Sequence, residues 1–537
     1  MGNKKRSNGL TRPVKNKIYK NPGITAAEKT VSLYLAIVLS VFWVYSTNAL
    51  FNLKNDKYTF FCNVTFAAFA VFAVCLIGTL IYALQKPIVP SDRKIKKLCT
   101  ADVGMLLFFI SAALSTYFSA YRQEAITGEL GRRNGLILIF AYLLCYIMVS
   151  YFYKGSMSLV YLFLTVGLFV CGLGIVNNFG FDPLDYISRI SESQRAVFIS
   201  TIGNINFFAT FVCVFFSVSF GMLMISEHIA GKVFSIICLA VGSGALIAAN
   251  SDLGFFAVFV FMGIMSIYSF KSIKRLHMYA IAWLTLTLSM KLMPVLCKIS
   301  GGHHVLVEKI SDFLMNSTVM YYIIAFFLAA TVVITVLRKN DKLLEVPSRL
   351  YIAAIVLVVL CVLGGAGVLI YFSCINTTAD LGGLSNYLRI NEKWGTNRGY
   401  IWIRSIQSFL QFDWVHKLFG SGPDTLRVIL DSYYGEEIAA NYNVYFDSAH
   451  NEYIEWLVTL GICGLVGILT FIIGAVVRMI RCSKNKPQLV VFYGAVIIYS
   501  LQAIFNIGQP LTTTMLFLFL AMGISVSRTS SNGSIRL

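Results

Sequence analysis

The sequence predicts an all-α fold: a polytopic bundle of about 12–14 membrane-crossing helices with one large helical loop outside the bilayer. Three observations predict it. Hydrophobic residues make up 57% of the 537 residues and charged residues only 13%, where a soluble domain carries about 25% charged. Apolar runs long enough to cross a hydrocarbon core of about 30 Å recur along the whole chain. The charges between those runs sort by sign.

Fourteen runs read as spans: 30–50, 60–84, 103–120, 135–153, 157–177, 199–225, 232–250, 253–270, 277–297, 319–337, 350–374, 451–477, 488–507 and 510–527. Almost nothing joins 232–250 to 253–270, so they form a tight helical hairpin with Asn250, Ser251 and Asp252 at its tip. The run at 277–297 is the least apolar because it holds Lys291 and Pro294. With the N-terminus inside and alternating crossings, the inner segments hold 28 Lys and Arg against 6 acids, and the outer ones 16 against 19. The net is +22 inside and −3 outside, which accounts for the overall +19. Positive-inside sorting predicts this asymmetry. It points the basic excess at anionic lipid head groups and away from nucleic acid.

The chain therefore divides into a basic cytoplasmic segment, 1–29, and a bundle at 30–375 of about eleven spans. An extracytoplasmic loop, 376–449, C-terminal membrane helices, 450–527, and a cytoplasmic tail, 528–537, follow. Lys4-Lys5-Arg6 opens a polar stretch too long for a signal-peptide start, and no small-residue cleavage site follows the first span, so that span is expected to be an uncleaved anchor. The twelve cysteines sit mostly in apolar runs with no CxxC, and read as small hydrophobes.

The loop 376–449 is the one long polar stretch. Its aromatic content (Trp394, Tyr400, Trp402, Trp414, Tyr433, Tyr434) suits a packed cap of short helices, with Trp402, Ile403, Ile406, Phe409 and Leu410 predicted on one helical face. Disorder is the alternative.

His450 stands where this loop meets an apolar helix. Asp447 or Ser448 is expected to cap that helix. The helix N-terminus disfavours a proton on the ring while Glu452 and Asp447 favour one, which predicts titration near neutral pH and a general-base role; an interfacial His bonded to a loop carbonyl is the plainer reading. Arg398, in Gly395-Thr-Asn-Arg-Gly-Tyr-Ile-Trp, offers a planar guanidinium suited to phosphate oxygens, or is a solvated loop residue. Arg132 and Arg133, in Gly131-Arg-Arg-Asn-Gly, suit either a second phosphate contact or interfacial anchoring. In 417–427 the glycines and proline force a turn, with an anion-binding nest as the rarer outcome. Asn204 and Asn206 at the mouth of 199–225 are either packing contacts between helices or cavity lining. His303 and His304 look like a metal pair but have no third ligand near them in sequence.

Ala449-His-Asn-Glu-Tyr-Ile-Glu-Trp-Leu-Val-Thr-Leu-Gly-Ile-Cys-Gly-Leu-Val-Gly resembles the His-Asn…Gly-Ile-x-Gly signature of the O-antigen ligase and polymerase superfamily. Gly131-Arg-Arg-Asn-Gly-Leu, Gly203-Asn-Ile-Asn-Phe and Leu418-Phe-Gly-Ser-Gly-Pro are similar to further family segments, in the family's order, so the resemblance runs from about 120 to 525. It implies a glycosyltransferase of the GT-C type in the bacterial plasma membrane, with both termini cytoplasmic. Such an enzyme moves a glycan from an undecaprenyl-pyrophosphate carrier to an acceptor hydroxyl on a glycan, lipid or protein at the outer face. Neither a nucleotide sugar nor an obligatory metal is implied, and no cofactor is expected. His450 would be the acceptor-activating base, and Arg398 would hold the leaving pyrophosphate with Arg132 or Arg133. Asn451, Glu452, Glu455, Asn204, Asn206 and Asp252 would contact or position substrate.

Two features depart from the family's pattern. Many members have Ser-Arg-Gly at the hairpin tip where this chain has Ser251-Asp252-Leu253-Gly254; either Arg132 or Arg133 takes that arginine's part, or Asp252 serves the acceptor side. Fourteen spans also exceed the family's twelve or so, which would make one of them re-entrant or surface-lying. The rival classes are a lipid-linked oligosaccharide flippase, which needs charge deep within its helices, and an O-linked protein glycosyltransferase of the same superfamily.

Overall fold

The computed structural model describes residues 21–85, 97–301, 309–339, 345–442 and 444–529; the basic start, His303 and His304 and the last residues of the tail lie outside them. In chain order the helices are α1 (Pro22–Val44), α2 (Leu53–Gln85), α3 (Thr100–Phe118), α4 (Arg122–Thr127), α5 (Leu136–Phe152), α6 (Ser158–Asn178), α7 (Ile205–Ile225), α8 (Ile229–Ala249), α9 (Asp252–Ser269) and α10 (Ile273–Ile299). They continue as α11 (Lys309–Asn316), α12 (Val319–Lys339), α13 (Ser348–Ile370), α14 (Ser385–Leu388), α15 (Trp394–Gln411), α16 (Trp414–Phe419), α17 (Leu426–Tyr442), α18 (Glu452–Cys482), α19 (Leu489–Gln502) and α20 (Pro510–Arg528). A two-stranded antiparallel ribbon, β1 (Phe198–Ile199) and β2 (Gly203–Asn204), leads into α7.

The fold is the expected membrane bundle. Among the described residues twelve helices are long and apolar enough to cross a membrane, and α5 and α19 are shorter apolar helices. In lipid every backbone polar group must be satisfied within its own segment, which is why apolar runs become helices. Helix α7 is buried from Phe208 to Ile225 and α20 from Pro510 to Ser527, so they form the centre of the bundle.

The two short helices run from one face of the bundle to the other. At the face carrying the long loop, the start of α5 is tied through Asn134 to the 420–424 turn, and Ala503 at the end of α19 accepts a bond from Glu452 N–H at 2.9 Å. At the opposite face Ser150 O, in the last turn of α5, accepts from Arg528 at 3.3 Å. There too Lys486, just before α19, donates to the carbonyls of Val526 and Ser527 at 3.0 and 2.9 Å. The same face holds the Arg528–Asp102 pair, with Tyr146 Oη donating to Asp102 at 2.7 Å.

Some boundaries move. Helix α2 begins at Leu53, ahead of the apolar run, because Asp56 accepts from Thr47 N at 2.8 Å and ties down the turn before it. This places Lys54 on a helix. The span read as 199–225 starts at Ile205, since Asn204 caps α7. The run containing Lys291 and Pro294 is one helix, α10; Lys291 Nζ donates to Met315 O at 2.8 Å and lies over the Tyr321 ring.

The loop folds as a helical cap. Tyr400, Ile401, Phe409, Leu426, Leu430 and Ile438 form its own small core against Ala449 and Val458. The predicted helical face is rotated, however. Ile406 and Leu410 are exposed, and the buried side of α15 carries Tyr400, Ile401, Ser405, Ser408 and Phe409. The helix docks through Tyr400, whose ring meets Tyr442 at 4.7 Å and Phe446 at 5.9 Å, so aromatic packing overrode the aliphatic stripe.

Beneath the cap, α18 is broken at Gly461 (φ +67°). The 420–422 segment crosses the break, with Ser421 N and Gly422 N donating to the carbonyls of Val458 and Thr459 at 3.1 and 3.0 Å. A Cβ on Gly461 would lie 2.4 Å from the Leu418 backbone, and one on Gly420 2.3 Å from Thr459. Leu418-Phe-Gly-Ser-Gly-Pro is therefore a turn that supplies donors to carbonyls freed by the break.

Candidate functional site

His450 lies between two pinned neighbours. Ala449 N–H donates to Glu455 Oε2 at 2.7 Å, and Ala449 O accepts from Trp402 Nε1 at 2.9 Å. Asn451 caps α18, accepting from Tyr453 N and Ile454 N at 2.9 and 3.1 Å. Held on both sides, His450 adopts φ +50°, a conformation uncommon outside glycine and one that marks functional sites. Its half-buried imidazole has no hydrogen-bond partner among the described residues.

The ring faces a cavity of about 290 Å³ at the loop face of the bundle. Lys54 from α2, Arg132 from the turn before α5, Asn204 and Asn206 from the mouth of α7, and Asn506 and Gln509 from the α19–α20 turn line it with His450. No Asp or Glu is among the lining residues. Two cationic side chains, Lys54 and Arg132, line it with the imidazole and four amides, a set whose chemistry suits an anion.

Arg398 approaches from the cap. Gly395, Thr396 and Asn397 are all left-handed, with φ between 60° and 70°. A Cβ on Gly399 would lie 1.8 Å from Asn391 O, so this tight reversal requires glycine there. Arg398 precedes Trp402 by one turn and shares its face. Trp402 packs with Trp394 and Phe505 at 5.0 and 6.3 Å and bonds Ala449, which holds this face over the His450 segment. Arg404, two turns on, is neutralised by Glu437 at 2.6 Å and Glu392 at 3.3 Å. Arg398 has no carboxylate partner among the described residues, and burial draws its pKa below the usual guanidinium value.

The two arginines act on the imidazole. Burial first, then the positive charges of Arg398 and Arg132, push the His450 pKa down to about 3. Titration near neutrality was the expectation; burial, together with the arginines that converge only in the fold, reverses it. The carboxylates invoked are also occupied elsewhere, Glu452 with Tyr499 Oη at 2.6 Å and Asp447 with Arg132 at 2.9 Å. Nor does Asp447 or Ser448 cap α18; Asn451 does. A lowered pKa leaves the ring neutral, so a base on this residue stays competent as pH falls through 6.5. The kcat/KM of the free enzyme is expected to lack an acidic limb between pH 7 and 5, and Arg398→Ala to bring that limb upward by removing one of the repelling charges. A wild-type limb centred near 6.5 would refute the depression.

Asp424 builds the arginine side of the cavity. It is buried, and its Oδ2 accepts from Arg132 N at 2.7 Å and Asn134 N at 2.9 Å. Gly131 lies so close that a Cβ there would stand 2.6 Å from the Asp424 carboxyl. The 418–424 turn thus grips the 131–135 turn and points Arg132 at His450. Burial raises the Asp424 pKa to about 7 against the pull of those two N–H groups. Asp424→Asn retains an acceptor oxygen and is expected to preserve the fold. Asp424→Ala strands two half-buried amides, each at no more than the roughly 1–3 kcal/mol of a fully buried donor, and is expected to lower the thermal midpoint in detergent. An unchanged midpoint for the alanine variant would remove the anchoring role.

The structure brings His450, Arg132, Asn204 and Asn206 together at one cavity; Arg398 is not among its lining residues but is near enough for its charge to act on His450. It does not bring Arg133, whose Nε donates to Asn55 at 2.7 Å and whose head packs on Tyr58. Asn451 serves as the helix cap; Glu452 and Glu455 lie beneath His450, around a void of about 10 Å³. Asp252 sits at the start of α9, accepting from Tyr387 Oη at 2.5 Å, and ties the cap to the helical hairpin. Sequence reasoning missed Lys54, Asn134, Asp424, Asn506 and Gln509. A charge at the head of an apolar helix was the only signal for Lys54; Asn134 and Asp424 lie inside the 131–135 and 417–427 segments already singled out, and Asn506 and Gln509 carried no signal. Among the described residues no three His, Cys, Asp or Glu side chains come together as metal ligands.

Residues 312–469 match the family model described as O-antigen ligase. The matched stretch contains Arg398, Asp424 and His450; Lys54, Arg132, Asn204 and Asn506 come from outside it. The resemblance read from the His450 segment is thereby borne out. No curated protein matches the chain.

Proposed function

Proceeding from that match, we propose that this membrane protein, O-antigen ligase-like by its C-terminal region, is a glycosyltransferase. It moves a glycan from an undecaprenyl-pyrophosphate carrier to an acceptor hydroxyl on the outer face of a bacterial plasma membrane, ligating or polymerising cell-surface polysaccharide. One observation carries the reading: an imidazole with no hydrogen-bond partner faces an acid-free cavity lined by Lys54 and Arg132, with Arg398 beside it.

In this reading the donor pyrophosphate sits among Lys54, Arg132 and Arg398. Its negative charge offsets the field that suppresses the imidazolium, so His450 gains basicity when donor is bound. The acceptor oxygen attacks the anomeric carbon as its proton passes to the imidazole. The bond from that carbon to the pyrophosphate oxygen breaks, and the leaving group departs with the electron pair into fixed positive charge. Lys54 contributes a compact charge, Nζ being oriented by Gly131 O at 2.8 Å. Orienting the loop face outward follows the positive-inside sorting of the charges.

A flippase needs a bilayer to act across, whereas a transferase does not. The purified protein in detergent, given a defined undecaprenyl-linked donor and candidate acceptors, is expected to change the glycan on the carrier. Carrier returned intact with every acceptor would rule out transfer. Among transferases, a peptide acceptor in place of a polysaccharide or lipid would identify an O-linked protein glycosyltransferase.

A further inference from the structure

His450 lines two cavities of opposite chemistry. One is the acid-free cavity described above; the other is the void of about 10 Å³ beneath the ring. Arg132, Asp424, Glu452 and Glu455 are the charged residues around that void, and Ser448 and Gly508 also line it. Asp424 is engaged by the backbone N–H groups of Arg132 and Asn134. Each glutamate uses one oxygen, Glu452 Oε1 accepting from Tyr499 Oη at 2.6 Å and Glu455 Oε2 from Ala449 N–H at 2.7 Å. Their other oxygens, Glu452 Oε2 and Glu455 Oε1, are buried without a hydrogen-bond partner among the described residues, and so are Arg132 Nε and Ser448 Oγ. Glu452 Oε2 stands against Gly508, where a Cβ would lie 3.2 Å from it. Three separate segments thus bring unpaired polar atoms to one void, and a buried polar atom is costly until it is paired.

We propose that this void binds one water, which joins His450 to Glu452 and Glu455 and carries the proton off the imidazole during transfer. The inference rests on the glycan-transfer reading and adds where the acceptor's proton goes. The volume is roughly that of one water. A water accepts from two donors, the Arg132 N–H and either the Ser448 hydroxyl or the imidazole N–H, and donates to one oxygen of each glutamate. A metal cation could not accept from the arginine N–H, and an anion would face two carboxylates. As the acceptor hydroxyl gives its proton to one ring nitrogen, the N–H on the other passes a proton to the water, and the water passes one to a glutamate. Charge favours the step, since Arg132 and Arg398 both repel a proton on the ring. The next void inward shares Glu452 and Glu455 and ends on Phe108, Trp456 and Phe517, so the route has no exit on its far side. The proton therefore returns through the imidazole to the departing pyrophosphate, and the glutamates hold it only while the glycosidic bond forms. They are positioning residues that act through His450.

The test uses the purified full chain. A high-resolution map is expected to show one water within about 3.2 Å of Arg132 Nε, Glu452 Oε2 and Glu455 Oε1. A dry void, or one closed by a side chain, overturns the proposal. Glu455→Gln keeps an acceptor for Ala449 N–H but loses the carboxylate, and Ser448→Val puts methyl groups where the water would sit. Each is expected to lower kcat about tenfold, below the roughly 10²–10⁴ of the base itself. Each is also expected to enlarge the solvent deuterium isotope effect on kcat, with KM and the binding of sugar-free undecaprenyl pyrophosphate unchanged. Unchanged kcat in both variants overturns the relay; so does a lower kcat with the wild-type isotope effect, which marks a purely structural role. A wild type that transfers nothing refutes the transfer reading instead. The water link is then read from the map and from the His450 ring-nitrogen resonances, which are expected to move in both variants; unmoved resonances overturn it.

Discussion

Replacing His450 by Ala is expected to abolish glycan transfer while leaving expression, membrane insertion and donor binding intact. A positioned general base contributes roughly 10²–10⁴ in rate, and His450 is the one imidazole among the side chains lining the cavity. The substitution costs little packing, because the imidazole has no hydrogen-bond partner among the described residues and lies at a cavity wall. It does place Ala at φ +50°, a conformation costing an L-residue about 1–2 kcal/mol. His450→Asn is the companion, since Asn tolerates that backbone and cannot act as a base. Loss of turnover in both, with thermal midpoints close to wild type, separates missing chemistry from strained backbone. Wild-type turnover in either would place the base elsewhere.

The sequence showed His450 and not the environment that sets its properties. Fourteen helices were legible because lipid leaves the backbone no other way to satisfy its polar groups, and even α5 and α19 kept apolar runs. His450 was legible because it stands where the one long polar loop enters a helix. Its pKa was misjudged from neighbours in sequence, Asp447 and Glu452, which the fold turns toward Arg132 and Tyr499. The residues that act on it stand 52 and 318 positions away, at Arg398 and Arg132. Lys54 and Asn506 escaped notice for the same reason, as did the part that Asp424 plays within the 417–427 turn. Each is an ordinary loop-end residue until tertiary packing brings five separate segments to one cavity. The amphipathic face of α15 failed differently: periodicity identified the helix, but Tyr400 stacking on Tyr442 and Phe446 chose its rotation.

Arg398→Ala is expected to weaken binding of the pyrophosphate-linked donor more than loss of Lys54 or Arg132, the two cations that line the cavity. Arg132 already shares its charge with Asp447, and Lys54 donates to Gly131 O. Arg398 has no such partner among the described residues, so its full charge is available to a ligand. A charge-assisted hydrogen bond contributes about 1.5–3 kcal/mol, which converts to a loss of roughly 10–150-fold in affinity. Arg398→Lys keeps the charge and loses the planar fork, so it is expected to recover only part of that loss. Arg398→Ala, unlike Arg398→Lys, also lifts a repelling charge from His450, so the free ring becomes more basic while turnover falls. That opposed pair of effects is diagnostic, because a residue holding only the cap in place would move donor affinity and leave imidazole titration alone. Isothermal titration with sugar-free undecaprenyl pyrophosphate measures the first effect, and the histidine resonances followed against pH measure the second. Wild-type donor affinity in Arg398→Ala would leave the leaving group to Arg132 and Lys54, and His450 would then face a pyrophosphate held from the bundle side of the cavity alone.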